Sequence, residues 1–218
     1  MSGQVFIEDV TDEMLPPDLG EPEGELKWSL LKSSGPQPPP RGGHTATLVG
    51  SRLYVLFGAD RNQTYVTAIH CLDTDTNTWS EVKASGEAPE PRSGHSAAAW
   101  KEGIVIVGGM TFVGEKIFQD CWYLDCSKPK EPRWIEPEAS GVEFKARNSH
   151  SATIIAKGAK EGRMVVVGGG SEDGLLGHVQ VADLREMPGK VTWEDCAGAS
   201  MAPREMHSAA FMEGPVPQ

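Results

Sequence analysis

One short motif, Arg-x-x-His followed by Ser or Thr and then Ala, occurs four times in the chain. The copies begin at Arg41, Arg92, Arg147 and Arg204 and are separated by 51, 55 and 57 residues. Four of the six histidines in the 218 residues occupy this one position. A repeat of this length is one structural unit that stacks on its neighbours, because a single unit cannot bury its own hydrophobic face. The motif therefore restricts the chain to a repeat architecture.

Three kinds of short segment follow each of the first three motifs in the same order. First comes an apolar run, rich in β-branched residues and ending near glycine, at 53–58, 104–109 and 164–169. Such runs are too short for helices and predict strands buried on both faces. A second apolar run then ends in aspartate, at 67–73, 120–125 and 178–183, and a tryptophan begins the last segment, at Trp79, Trp134 and Trp193. The repeat therefore predicts four short antiparallel strands, as in a β-propeller blade.

The same turn residues recur in every unit. A β-sandwich, the alternative for repeated short strands, does not need the same turn chemistry at every fourth strand. The unit resembles the kelch repeat, with its glycine doublet after an apolar strand, an aromatic residue before aspartate, and a spaced tryptophan. The doublets here are Gly108-Gly109 and Gly168-Gly169, with Gly58-Ala59 as an altered copy, and residues 91–96 (PRSGHS) are especially similar to the kelch pattern. The resemblance covers residues 28–212 and implies an all-β, kelch-type β-propeller.

The number of predicted strands implies an incomplete arc. The blades are expected at about 41–83, 92–137 and 147–196, with a partial blade at 204–212 and an orphan strand at 28–31. Six blades of this period would need about 310–320 residues. The open edges of three blades carry unpaired backbone groups, which predict self-association or completion of the propeller by further chain.

Residues 1–27 are expected to form a flexible acidic leader. They contain eight acidic residues and one basic residue, and prolines at 16, 17 and 22 interrupt any helix longer than a turn or two. The alternative is a short docking segment built on residues 5–7 (VFI). We assign residues 28–218 to the kelch repeats.

Composition excludes several classes of function. The chain has 20 Lys and Arg against 31 Asp and Glu, a net charge of −11, which disfavours a nucleic-acid partner. It has no apolar stretch of about 18 residues and no signal-like N-terminal segment, so neither membrane insertion nor secretion is expected. The four cysteines lack zinc-ligand spacing and are predicted to be buried or half-buried thiols of a reducing compartment, which favours the cytoplasm; the alternative is an extracellular disulfide role.

The motifs of common enzyme classes are absent from the sequence. It contains no Gly-x-Ser-x-Gly, no P-loop and no His-Glu-x-x-His, so we expect no catalysis, no cofactor and no metal. The resemblance leaves one alternative, because kelch-like propellers include enzymes and cofactor-dependent proteins of the oxidase, epimerase and specifier types. The site of such a protein would lie in blades that this chain lacks.

The repeated arginines are the first candidates for binding a partner. In kelch-like propellers the first strand lines the central channel, so the resemblance places Arg41, Arg92, Arg147 and Arg204 at one level of it. Converging guanidinium groups would bind an acidic peptide or a C-terminal carboxylate through paired hydrogen bonds. The alternative is structural: each arginine caps a turn inside its own blade, and each histidine bonds a neighbouring backbone group.

Loops are the second candidate, because repeats differ there while their strands stay similar. The loops Ala59–Val66, Met110–Phe118 and Gly170–Gly177 have unrelated sequences, and the second is the most apolar. Phe112 and Phe118 are therefore candidate contacts. The sequence predicts a non-catalytic protein-interaction module, of scaffold, effector or substrate-receptor type, that uses these loops and the channel face.

Overall fold

The structure is a computed structural model that describes residues 30–113, 115–158 and 160–211. The predicted acidic leader and Trp28 lie outside the described residues. Within the described ranges the chain forms strands and no helix, so the all-β prediction is confirmed.

Each of the first three repeats forms one sheet of four antiparallel strands, and its first strand starts directly after the Arg-x-x-His motif. Blade one consists of β1 (Thr45–Val49), β2 (Arg52–Leu56), β3 (Ile69–Asp73) and β4 (Thr78–Val82). Blade two consists of β5 (Ser96–Trp100), β6 (Gly103–Val107), the hairpin β7 (Met110–Thr111) and β8 (Lys116–Ile117), β9 (Cys121–Asp125) and β10 (Arg133–Ile135). The order β5-β6-β9-β10 repeats the order β1-β2-β3-β4.

Blade three has the same order and one additional strand at its outer edge. It is preceded by β11 (Glu138–Gly141) and consists of β12 (Ser151–Ile155), β13 (Arg163–Val167), the hairpin β14 (Gly170–Ser171) and β15 (Gly174–Leu175), β16 (His178–Asp183) and β17 (Lys190–Ser200). The sheet runs β12-β13-β16-β17, and β11 pairs parallel with β17.

The hydrophobic core lies between the blades. Alternate residues of β6 point to opposite sides of the sheet. Ile104 and Ile106 pack in a cluster with blade one, and Val105 and Val107 pack in a second cluster with blade three. All five residues of β6 are buried, whereas β2 and β13 are buried only in part. The prediction of burial on both faces thus holds for every residue of the run in blade two, which has a described four-stranded blade on each side. In the runs 53–58 and 164–169 it holds for all residues except Leu53 and Val165.

A Ser-Gly pair, which we call the strap, covers the outer strand of the following blade. The straps are Ser34-Gly35, Ser85-Gly86 and Ser140-Gly141. The backbone N–H of Trp134 donates to the carbonyl of Ser85 at 2.9 Å, and Trp79 donates to Ser34 at 2.8 Å. This pairing starts at Ser34, after the predicted orphan strand, and residues 30 and 31 are in no strand.

The straps need glycine because the chains approach closely. Gly86 has a φ of 81°, and a Cβ built on it would lie 2.5 Å from the carbonyl oxygen of Trp134. The equivalent distances for Gly35 and Gly141 are both 2.1 Å. A side chain there would therefore separate the strap from the blade.

The altered glycine doublet in blade one differs from the prediction. Phe57 and Gly58 have φ values of 55° and 85°, matching 58° and 99° at Gly108 and Gly109. The doublet is thus Phe57-Gly58, one residue earlier than Gly58-Ala59. Phe57 tolerates this conformation while its ring stacks on Trp134 across the blade interface, with centroids 5.8 Å apart.

Residues 204–211 lie beside the first strand of blade three but are not assigned to a strand. The N–H of Met206 donates to the carbonyl of Ser149 at 2.8 Å, and the hydroxyl of Thr153 donates to the carbonyl of Ala209 at 3.1 Å. The predicted partial blade therefore occupies the place of a next first strand without a sheet partner of its own among the described residues.

The strap predicts a difference between two glycine substitutions. Gly86→Ala should lower the free energy of unfolding by more than the about 1–2 kcal/mol expected for a left-handed alanine, because its Cβ also meets a carbonyl oxygen. Gly158 is the matched control: its φ is 82°, and no atom lies within 4 Å of its Cβ position. Urea unfolding measures both variants. Equal losses for Gly86→Ala and Gly158→Ala would contradict close packing of the strap.

Candidate partner-binding face

The guanidinium group of Arg92 is completely buried inside blade two, and each of its three nitrogens donates a hydrogen bond there. Its Nε donates to the carbonyl of Glu90 at 2.9 Å, and its Nη1 donates to the carbonyl of Gly108 at 3.0 Å. The carboxylate of Asp120 accepts from both Nη1 and Nη2, at 2.5 and 2.8 Å. The ring of Phe118 lies against the group, 3.9 Å from Cζ to the centroid. Arg92 therefore ties together three segments of its own blade.

Arg147 is held in the same way in blade three, where polar neutral groups replace the aspartate. Its Nε donates to the carbonyl of Lys145 at 3.0 Å, its Nη1 to that of Gly168 at 3.1 Å, and its Nη2 to Oε1 of Gln180 at 2.8 Å. Burial lowers the pKa of Arg147 to about 10, an effect that the charge of Asp195 partly offsets.

The first and last arginines of the series are only partly buried. Nε and Nη1 of Arg41 donate to the carbonyls of Pro39 and Phe57, at 3.1 and 3.2 Å. Nε of Arg204 donates to the carbonyl of Ala202 at 3.1 Å. All four arginines thus direct Nε at the carbonyl two residues earlier.

These positions decide which predicted site residues remain available to a partner. Arg92 and Arg147 are 0% exposed and Phe118 is 2% exposed, so none of the three offers surface to a ligand. Arg92 and Arg147 therefore match the alternative in which each arginine caps a turn inside its own blade. The expectation of an acidic or carboxylate ligand depended on the guanidinium groups, and two of the four are directed into the blades. Phe112, by contrast, is 48% exposed.

The repeated histidines connect neighbouring blades. Nε2 of His95 lies 2.8 Å from the hydroxyl of Thr45 in the preceding blade, and Nε2 of His207 lies 3.0 Å from that of Ser151. Between blades two and three, the hydroxyl of Ser96 donates to the backbone carbonyl of His150 at 2.7 Å. The structural alternative gives each histidine a backbone partner. For His95 the partner is instead a hydroxyl of the preceding blade.

Burial changes the protonation of these histidines. Burial, and secondarily the charges of Arg92 and His44, lower the pKa of His95 to about 3. Burial and the charge of Arg147 lower the pKa of His150 to about 3, with smaller effects of His95 and His207. Both rings are therefore neutral at pH 7, and they add no positive charge to the channel wall.

The second of the two residues between arginine and histidine takes part in a chain of backbone hydrogen bonds across the blades. The N–H of Gly94 donates to the carbonyl of Gly43 at 3.0 Å, and the N–H of Ser149 donates to the carbonyl of Gly94 at 2.7 Å. The N–H of Met206 continues the series by donating to the carbonyl of Ser149. The four residues at this position have φ values between 53° and 66°. The residue at this position differs between copies and lies at the end of the blade where the first strand starts. We call this end the channel mouth, because the kelch resemblance places the first strands along a central channel.

A cavity of about 290 Å³ lies at this mouth, where blades one and two meet. Middle residues of three motifs and parts of two variable loops line it: Gly42, Gly43, Ser93, Gly94, Asn148, Ser149, Ala59, Asp60, Gln63, Met110 and Phe112. Antiparallel strand order brings these together, because the end of β2 and the start of β1 lie at the same end of blade one. Only Phe112 of the six predicted contact residues lines the cavity.

Aromatic residues of two blades meet beside this cavity. The backbone N–H of Phe112 donates to the hydroxyl of Tyr65 at 2.8 Å, and their ring centroids are 6.3 Å apart. Val113, next in the loop, is 77% exposed. Tyr65 and Asp60 were not identified from the sequence. One signal in the sequence was available. The two residues between arginine and histidine differ in every copy of the motif (GG, SG, NS and EM), whereas the arginine and the histidine do not.

The described residues offer little for metal or thiol chemistry. No group of three or more His, Cys, Asp or Glu side chains within them is placed to hold a metal ion. All four cysteines are free, and three of them are buried. Burial raises the pKa of Cys126 to about 12, so this thiol is protonated at neutral pH. The same ranges contain no helix with the length and apolar character needed to span a membrane.

Comparison with known proteins gives a family match over most of the chain. The family described as the KLHDC2/KLHL20/DRC7 Kelch-repeats domain matches residues 23–216. Acyl-CoA-binding domain-containing protein 4 of Arabidopsis thaliana is 34% identical over 66% of this chain and 20% of its own length. The Rab9 effector protein with kelch motifs of Mus musculus is 36% identical over 43% of this chain and 25% of its own length. The chain thus spans a quarter or less of these relatives.

Among solved structures, that of YjhT matches with a TM-score of 0.57 at 15% identity. The match covers 76% of this chain and 52% of the solved chain. At this identity the likeness concerns the fold, and it agrees with the arrangement of four-stranded blades described above.

The buried histidines predict a stability that falls in mild acid. The folded-state pKa values of His95 and His150, about 3, lie below the ordinary value of about 6.5, so the unfolded chain binds more protons between these values. Their contribution is complete above about pH 6.5 and is lost as the pH falls. From pH 7 to pH 5 the free energy of unfolding should drop by about 2 kcal/mol for each histidine.

Urea unfolding at the two pH values measures this drop. His150→Gln should remove roughly half of it, whereas His44→Gln, at the exposed equivalent position in blade one, should leave most of it in place, because His44 has the smallest of the three effects on His95. A stability that does not change between pH 7 and pH 5 would show that these rings are not buried as neutral groups.

Proposed function

Because the chain belongs to the kelch-repeat family, we propose that it is a non-catalytic protein-interaction module that binds its partner at the channel mouth. The loops 59–66, 110–118 and 170–177 emerge on this face. Relatives of this chain include a protein named as an effector with kelch motifs and another named as an F-box/kelch-repeat protein, and both names suit an interaction role.

The observation that supports this face best is the exposure of large apolar side chains in one variable loop. Phe112 is 48% exposed and Val113 is 77% exposed, at the edge of a cavity between two blades. Leu175, in the equivalent hairpin of blade three, is 51% exposed. Aromatic anchors beside a concave surface are typical of the centre of a protein interface.

The rigid frame supports the same proposal. Arg92 and Arg147 fix the start of the first strand and the start of the loop in their blades. A loop on fixed ends can present its residues with a small loss of conformational entropy on binding. The buried free thiols suit a reducing compartment, so we place this function in the cytoplasm.

The double substitution Phe112→Ala with Val113→Ala tests the proposed face. It should remove partner capture while changing the free energy of unfolding by less than about 0.5 kcal/mol, because both side chains are exposed. Proteins retained from a cell lysate by the wild-type and variant chains are compared by quantitative mass spectrometry. We expect a set of proteins retained at least about fivefold less by the double variant.

Leu48→Ala is the matched control. Leu48 is 53% exposed and lies at the opposite end of blade one, near the turn between β1 and β2. This variant should retain the same proteins as the wild type. If the double variant and the wild type retain the same proteins in equal amounts, the channel mouth is not the partner surface.

A further inference from the structure

We propose that the cavity at the channel mouth accepts a basic side chain, arginine or lysine, from an extended segment of the partner protein. Asp60 supplies the counter-ion, and Phe112 supplies an aromatic wall. This inference rests on the proposed function and names the chemistry of the partner at that site.

Asp60 carries the single negative charge in the cavity lining. Its Oδ1 accepts the backbone N–H groups of Asn62 and Thr64, at 2.8 and 2.9 Å. The N–H of Asp60 donates to the carbonyl of Thr64 at 3.0 Å, which closes the loop on itself. The loop therefore fixes the carboxylate through one oxygen. The other oxygen has no hydrogen-bond or ion-pair partner in the part of the chain that the structure describes.

Among the described residues, no basic side chain lines this cavity. The guanidinium groups of Arg92 and Arg147, which belong to the same level of the propeller, are inside the blades. Two lysines in nearby segments are paired: Lys116 with Glu90 at 2.5 Å, and Lys145 with Asp173 at 3.6 Å. Arg61, which follows Asp60, is exposed and is not part of the lining. The charge at the cavity is therefore negative.

The aromatic wall suits a cation as well as an apolar group. A cation is attracted to the face of an aromatic ring, and the attraction is stronger where water is partly excluded. The hydrogen bond from Phe112 to the Tyr65 hydroxyl ties the loops of two blades together and fixes the start of the Phe112 loop. A long basic side chain can lay its methylene groups on this ring while its charged end reaches Asp60.

The size of the cavity limits what it can hold. Its volume of about 290 Å³ lies just below the range of about 300–1,000 Å³ that is typical of small-molecule sites. It has room for one side chain of a peptide. An acidic side chain would meet Asp60 with no cation in the lining to offset the repulsion. The net charge of −11 would also steer basic partners towards the chain.

Selection from a displayed library of random 12-residue peptides tests the inference. The wild-type chain should select peptides enriched in arginine or lysine. Binding of the best peptide is then measured by fluorescence anisotropy. Asp60→Asn should weaken it about five- to twentyfold and reduce its dependence on salt. This substitution keeps the loop, because an amide oxygen still accepts the two backbone N–H groups.

Asp75→Asn is the control, because Asp75 is an exposed acid in the turn between β3 and β4, at the other end of the blade. It should leave the affinity unchanged. Selected peptides that are acidic or purely apolar, or that bind Asp60→Asn as well as the wild type, would overturn the inference. If their binding is still lost in the Phe112→Ala, Val113→Ala variant, the proposed function stands. Failure to select any peptide, or binding that survives this double variant, would contradict both.

Discussion

The repeated arginine inside each blade is the interaction on which the rest of the structure depends. In blade two its fork of donors reaches the incoming linker at Glu90, the end of β6 at Gly108 and the start of β9 at Asp120. A guanidinium group removed from water is strongly unfavourable unless every donor is satisfied. The linker, the second strand and the third strand must therefore converge at this point, and the loops above it start from fixed positions.

The backbone partners of the arginines are constant, whereas their side-chain partners vary. Nη1 donates to the residue at the end of the second strand in all of the first three blades, namely Phe57, Gly108 and Gly168. The side-chain acceptor is Asp120 in blade two and Gln180 in blade three, and His70 lies 3.4 Å away in blade one. Geometry is thus preserved through the backbone while the electrostatics of each blade differ.

The residues that hold the blades together are therefore different from the residues of the candidate site. The arginine and histidine of each motif serve the blades, and the two residues between them face the channel mouth together with the variable loops. Because Arg92 and Arg147 are buried and His95 and His150 are neutral, Asp60 is the one charged residue among the described residues that line the cavity. A motif that suggests a basic channel in the sequence therefore yields a negative cavity in the structure.

The sequence predicted the strands well because their signals are local. The continuous apolar run of β6 and the recurring tryptophans can be recognised from a few adjacent residues. The site was harder to predict because it depends on where the end groups of long side chains lie in the folded chain. Strand alternation gives the face of Arg92 but not the direction of its guanidinium group, and it does not separate the buried Phe118 from the exposed Phe112. The straps and Tyr65 are common residues whose importance comes from contacts between blades.

Urea unfolding of Arg92→Lys tests the central claim most directly, with Arg41→Lys as the matched variant at the same motif position. Lysine keeps the charge but cannot reach the carbonyls of Glu90 and Gly108 together with Asp120. Arg92→Lys should lower the free energy of unfolding by about 2–4 kcal/mol, and Arg41→Lys, at a partly exposed site, by less than about 1 kcal/mol. Arg92→Lys with wild-type stability would contradict the claim that the buried guanidinium fork holds the blade together.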